Sequence, residues 1–188
     1  MNDLALETRT GLPDALRVLL EELPREAWAR HPQFHGLVSF WLDRHLMFRK
    51  LTDHMATETQ AMLDKQRDPI GFAQGVARYG GMFVEQLHGH HQIEDQHYFP
   101  ILAQRDARII KGFDLLDADH HALDGHIARF VEGANGAIRG AQGKDPRKAA
   151  EGFRAGLADM QRLLDRHLVD EEELIVPVIL TYGAQGLS

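Results

Sequence analysis

Histidine and carboxylate recur in this chain at a spacing that suits metal binding. His90 stands four residues before Glu94, and His167 four before Glu171. On a helix, positions i and i+4 project from one face about one turn apart. An imidazole nitrogen and a carboxylate placed that way can bind one ion, or the carboxylate can reach across to bridge two. Mixed nitrogen and oxygen donors without sulfur suit iron, manganese or zinc.

The two motifs belong to an internal repeat. Asp68-Pro69 and Asp145-Pro146 are offset by 77 residues, and the same offset relates His90 to His167, Glu94 to Glu171 and Pro100 to Pro177. Each half also carries an earlier histidine. His45 lies 23 residues before Asp68 and His90 lies 22 after it; His120 lies 25 before Asp145 and His167 lies 22 after it. In an antiparallel helical hairpin, residues equidistant from the turn share a height. At about 1.5 Å per residue the four histidines fall within about a turn of one level. His45, His90, Glu94, His120, His167 and Glu171 therefore form one candidate metal set, and two bridging carboxylates favour a dinuclear centre. A ferritin-like arrangement would put lone glutamates where His45 and His120 stand, so the pattern is a different one.

These residues need helices to position them, and the sequence supplies helical punctuation. Alternating strand patterns are nearly absent. A short helix is predicted over 13–23, ending before Pro24, and a long one over about 34–65, with Leu37, Phe40, Trp41, Met47, Phe48, Leu51 and Met55 as its apolar positions. Asp68-Pro69 pairs an N-cap with proline at the first helical position and opens a helix to about Ala103. Another is predicted over about 109–141, and Asp145-Pro146 opens the last, to about Tyr182. Long helices joined by short loops read as an all-α, up-down-up-down antiparallel four-helix bundle with a short extra N-terminal helix. The domain reading is an extension over 1–33, the bundle over 34–182 and a tail over 183–188. Gly80-Gly81 inside the second long helix makes it dependent on packing.

Composition narrows the classes. The chain of 188 residues can bury a core of ordinary size. A formal net charge of -7, without any Lys/Arg run, argues against nucleic acid and anionic membrane as partners. The absence of cysteine excludes disulfides, thiolate catalysis and iron–sulfur ligation by this chain. The opening Met1-Asn2-Asp3-Leu4 lacks the basic and apolar regions of a signal peptide, and no apolar run approaches the ~18 residues of a membrane span. A cytoplasmic location is expected. Histidine, at 12 residues, is frequent enough for its placement to matter.

At these positions the sequence resembles the hemerythrin-like, or HHE cation-binding, family. The resemblance rests on Asp43-Arg-His45-Leu-Met-Phe-Arg49, His90-His-Gln-Ile-Glu94-Asp, Asp119-His120-His-Ala-Leu-Asp124 and His167-Leu-Val-Asp-Glu171-Glu-Glu-Leu-Ile-Val-Pro177, and covers about 34–182. It implies a non-haem centre of two irons per chain, bridged by Glu94, Glu171 and an oxygen species, with zinc or manganese as other candidates. It also implies a small diatomic ligand or peroxide: the family binds or senses dioxygen, handles peroxide or nitric oxide, or regulates iron. Oxygen-carrying members place a second histidine one turn along the third helix, where this chain has Asp124; the extra histidine here is His121, about 100° round. That implies an open or oxygen-ligated position on one ion, favours a reactive centre over reversible carriage, and makes Asp124 a further candidate ligand.

Of the other histidines, His97 shares the face of His90 two turns along and reads as structural. His91 and His121 rotate away from the axis and read as flank or surface residues. His31, His35, His54, His88 and His126 read as solvated, as do Glu172 and Glu173, while Trp41, Phe48 and Phe99 read as core. Three functions compete: a reactive or sensing diiron protein, an enzymatic activity on peroxide or nitric oxide included; a non-catalytic store or carrier of oxygen or iron; and a helical interaction module with structural metal, in which residues 1–33 offer the surface for a protein partner.

Overall fold

The computed structural model describes residues 4–187. The absence of a leader over Met1-Asn2-Asp3 and the last residue of the tail, Ser188, fall outside the described residues. Among those residues the regular structure is entirely helical. Short helices α1 (Val18–Glu22) and α2 (Arg25–Trp28) precede the long α3 (Leu37–Leu63) and α4 (Pro69–Ile93). A π-helical turn (Glu94–Tyr98) leads into α5 (Phe99–Leu102), and the long α6 (Ile110–Gly140) and α7 (Pro146–Tyr182) complete the chain. No helix among the described residues is long and apolar enough to cross a membrane.

The start signals act as their residue types dictate. Asp68 accepts from Gly71 N at 2.8 Å and Asp145 from Lys148 N at 3.0 Å, so both side chains satisfy an amide that the first helical turn leaves without a partner. Asp106 does the same for Arg108 N at 2.9 Å, ahead of α6, and also accepts from Tyr182 Oη at 2.8 Å. The end of α7 is closed by Gly183 at φ +85°, whose N–H donates to Ile179 O at 2.8 Å. That left-handed conformation favours glycine.

Three expectations need correction. The helix over 13–23 is broken: Asp14–Leu16 is a 3₁₀ turn, and Arg17 leaves helical geometry at φ -97°, ψ 8° before α1. So short a segment has no stability of its own and follows the burial of Leu19 and Leu20. Phe40 is exposed rather than apolar core. The helix from Pro69 to about Ala103 is interrupted by the π turn, where Phe99 N donates to Glu94 O, five residues back. Pro100 lies just after it: lacking an N–H and carrying a ring that crowds the carbonyl four residues earlier, it is accommodated here by a widened preceding turn.

The chain divides into two compact units, and the division falls inside α3, α4, α6 and α7. The first comprises the chain up to Leu46, His90–Ala122 and Asp165 onward. Its core gathers Leu12, Leu19, Trp28, Trp41, Phe99, Phe113 and Ile175, so residues of the N-terminal extension are buried in it. The second comprises Met47–Gly89 and Leu123–Leu164. There Phe48, Phe72, Phe83, Phe130 and Phe153 are buried, with Phe83 and Phe130 ring centroids 5.4 Å apart.

Candidate metal centre

The first unit holds every residue of the candidate centre. α3 supplies His45, α4 supplies His90 and His91, and Glu94 opens the π turn. α6 supplies Asp119 and His120; α7 supplies His167, Asp170, Glu171 and Glu172. All are buried, and Glu94 and Glu171 are 0% exposed. Burying two carboxylates side by side is costly unless positive charge answers them.

Each carboxylate turns one oxygen to each of two histidine groups. Glu94 Oε1 lies 2.9 Å from His90 Nε2, and its Oε2 lies 3.6 Å from His120 Nε2. Glu171 Oε1 lies 3.5 Å from His45 Nε2, and its Oε2 lies 3.4 Å from His167 Nε2. Ligand atoms of His45, His90, Glu94 and Glu171 all fall within 4.8 Å of one another, as do those of His91, His120 and His167. The fit to cations shows in what these atoms lack. Both Glu94 oxygens, Glu171 Oε2, His120 Nε2, His167 Nε2 and both His91 ring nitrogens are buried without a hydrogen bond. Buried polar atoms are ordinarily satisfied. With one donor atom from each residue, these unsatisfied groups could hold metal ions.

Carboxylates behind the rings fix which nitrogen faces inward. His45 Nδ1 lies 3.0 Å from Glu172 Oε1, His120 Nδ1 2.7 Å from Asp95 Oδ1 and His167 Nδ1 3.3 Å from Asp119 Oδ2. A proton held on Nδ1 leaves Nε2 as the donor toward the centre. Trp41 Nε1 donates to Glu171 Oε1 at 2.6 Å and so orients that carboxylate. Burial, with the neighbouring Glu171 charge, pushes Glu94 well above the usual carboxylate range. Burial also raises Glu171, but His45 and His167 outweigh it and hold that group well below. Burial drives His91 well down and His90 to about 3, keeping both rings in the neutral, ligating form. His167 rises to about 9, because Asp119 and Glu171 overcome the effect of burial.

The family model for the hemerythrin HHE cation-binding domain matches residues 36–179. The chain belongs to that family. No curated protein and no solved structure matches it. Cation binding by a hemerythrin HHE domain agrees with the cluster of histidine and glutamate built here.

All six residues that the repeat singles out in this hemerythrin HHE chain come together. His91 and Glu172, expected at the surface, are buried as well. The ring of His91 stacks on His120 with centroids 4.0 Å apart, in the group that also contains His167. A bundle helix buries a stripe wider than 100°, so two consecutive residues can both face inward; that width is the signal for His91 and Glu172. Asp124 is not brought to the centre: it is exposed in the second unit, 3.9 Å from His88. His121 is exposed too, with Nδ1 2.8 Å from Asp117 O. His97 is half-buried beside Tyr98, because the π turn rotates residues after Glu94 off the helical register. His54 and His88 are exposed, as expected.

Proposed function

We propose that this hemerythrin HHE chain is a non-haem dimetal protein, with two irons in its native state, that binds, senses or reacts with dioxygen, peroxide or nitric oxide. The observation that carries the reading is that Glu94 and Glu171 each face one histidine group with one oxygen and the other group with the other. His45 and His90 would hold one ion, His91, His120 and His167 the other, and the two glutamates would bridge. Nitrogen and oxygen donors without sulfur suit iron, manganese or zinc, and the family resemblance points to iron among them. Bound iron supplies a redox couple and a Lewis acid for small oxygen and nitrogen species. The chain's own residues orient and shield. Asp119, Asp95 and Glu172 fix three imidazoles, Trp41 holds Glu171, and Phe99, 5.4 Å from the His120 ring, keeps that side apolar.

The four long helices are proposed to pack as an up-down-up-down antiparallel bundle, a reading supported by the short connections at 64–68 and 141–145. A cytoplasmic location and the absence of nucleic-acid or membrane partners remain part of the same proposal, on the grounds of charge and hydropathy.

Protein purified without a His tag, assayed for metals by plasma mass spectrometry and by visible spectroscopy through reduction and air exposure, tests this. About two irons per chain with near-ultraviolet oxo-bridge absorption, responding to dioxygen, peroxide or nitric oxide, is the expected result. Zinc alone would make the metal structural, and an iron spectrum indifferent to all three molecules would leave a store or carrier.

A further inference from the structure

Two arginines that precede the matched family segment stand behind the histidines of the centre. Arg9 is 7% exposed, and all three of its guanidinium nitrogens donate to acidic residues of the first unit. Its Nε donates to Asp170 Oδ2 at 2.7 Å, its Nη1 to Asp119 Oδ1 at 2.6 Å, and its Nη2 to Asp119 Oδ2. The same Asp119 Oδ2 meets His167 Nδ1. Arg25 reaches the other group: its Nη1 donates to Glu172 Oε2 at 2.7 Å, while Glu172 Oε1 meets His45 Nδ1.

Neither arginine is a loose surface cation. Arg9 N donates to Ala5 O and its Nη1 to Leu4 O, both at 3.0 Å, and Arg166 Nη1 donates to the neighbouring Thr10 O at 2.7 Å. Leu6 and Leu12 are buried on either side. Arg25 lies over the buried Trp28 ring at 4.7 Å, and Trp28 Nε1 donates to Leu23 O at 2.8 Å. Each arm therefore runs from an anchored arginine through one carboxylate to one histidine. A planar guanidinium bonded to both oxygens of Asp119 fixes that carboxylate's plane, which a lysine's single ammonium cannot do.

We infer that the N-terminal segment is a working part of the metal centre: Arg9 and Arg25 are positioning residues that set His167 and His45, one in each ligand group, through Asp119 and Glu172. The inference rests on the metal reading proposed above. Its function is retention. With the rings held in place the donors are set before the ion arrives, and losing an arm lets one histidine swing away from its ion. Partners behind metal-ligating histidines typically govern affinity by about 10- to 100-fold.

The test uses the full chain loaded with Co²⁺, whose visible bands report ligand geometry, and follows its transfer to a chelator well below the unfolding temperature. Arg25→Gln is the principal variant, because the Arg25 side chain is 44% exposed and its loss should leave the fold standing. We expect release about tenfold faster or more, with altered bands and an unchanged far-ultraviolet spectrum. Arg25→Lys should fall between, and Glu172→Gln combined with Arg25→Gln should add little to either alone, since both cut the same arm. Arg9→Gln and Arg9→Lys probe the second arm; if loss of the buried guanidinium unfolds the chain, Asp119→Asn takes their place, keeping side-chain size while weakening the hold on His167. Release within twofold of wild type for both Arg25→Gln and the Asp119-arm variant would overturn the inference. A wild-type protein that takes up no Co²⁺ would instead overturn the metal reading, so the two failures are distinct.

Discussion

In the proposed centre, His91 would decide how the second ligand group is filled. Without it, His120 and His167 face the shared glutamates as a pair; with it, three imidazoles converge. We predict that His91→Ala loses one of about two ions per chain, or releases it at least tenfold faster, while Asp124→Ala and His121→Ala keep both. Metal content by plasma mass spectrometry checks this, and full retention in His91→Ala would remove His91 from the ligand set. The residue scale also shows how far the sequence can be read. The meeting of His45, His90, Glu94, His120, His167 and Glu171 was legible because a repeat and helical rise fix heights along an axis. Angular placement was not. Position 91 sits 100° from position 90, and only the width of the buried stripe says whether that is inside or out. Arg9 left no signal, since its partners Asp119 and Asp170 lie more than a hundred residues away.

Among the elements, helix starts were readable to within a residue or two wherever an N-cap was followed by proline, as at Asp68 and Asp145, because that pairing is local chemistry. The π turn was not read, although Pro100 was visible, because proline permits several accommodations. Pro177, at the same place in the repeat, sits inside α7 without interrupting it. Glycines divide in the same way between local and tertiary causes. A Cβ added at Gly81 in α4 meets nothing within 4 Å, whereas one at Gly140, the last residue of α6, would fall 2.3 Å from Ala149 Cβ. Gly81→Ala should therefore gain about 0.5–1 kcal/mol from helix propensity alone. Gly140→Ala should lose about 1–3 kcal/mol, because a Cβ cannot step aside as a flexible side chain does. Urea unfolding of the two variants measures both signs, and a stabilised Gly140→Ala would mean that the end of α6 yields more readily than its packing indicates.

For the molecule as a whole, the division into two units sets where a metal bound at the proposed centre would act. The candidate ligands belong to the first unit, and none comes from Met47–Gly89 or Leu123–Leu164. An ion that binds the folded chain and not the unfolded one stabilises by about 2.7 kcal/mol at a hundredfold excess over its Kd. For a chain of this size that is worth roughly 5–10 °C in melting temperature. Chelation should therefore lower the melting temperature, and readdition should restore it in a concentration-dependent way. That global effect protects every amide that exchanges only through complete unfolding, wherever it lies. Local openings separate the units. If the proposed centre holds an ion shared by α3, α4, α6 and α7, that ion must be released before Glu94, His120 or Glu171 can move, so amides around these residues within 90–122 and 165–182 should gain protection beyond the global share. Amides of the second unit that exchange by local opening hold no ligand back and should change little. Hydrogen exchange with and without metal resolves the two contributions. Equal slowing of every segment would mean that the centre stabilises the chain without restraining the helices that build it, while extra protection confined to the first unit would tie metal binding to local rigidity.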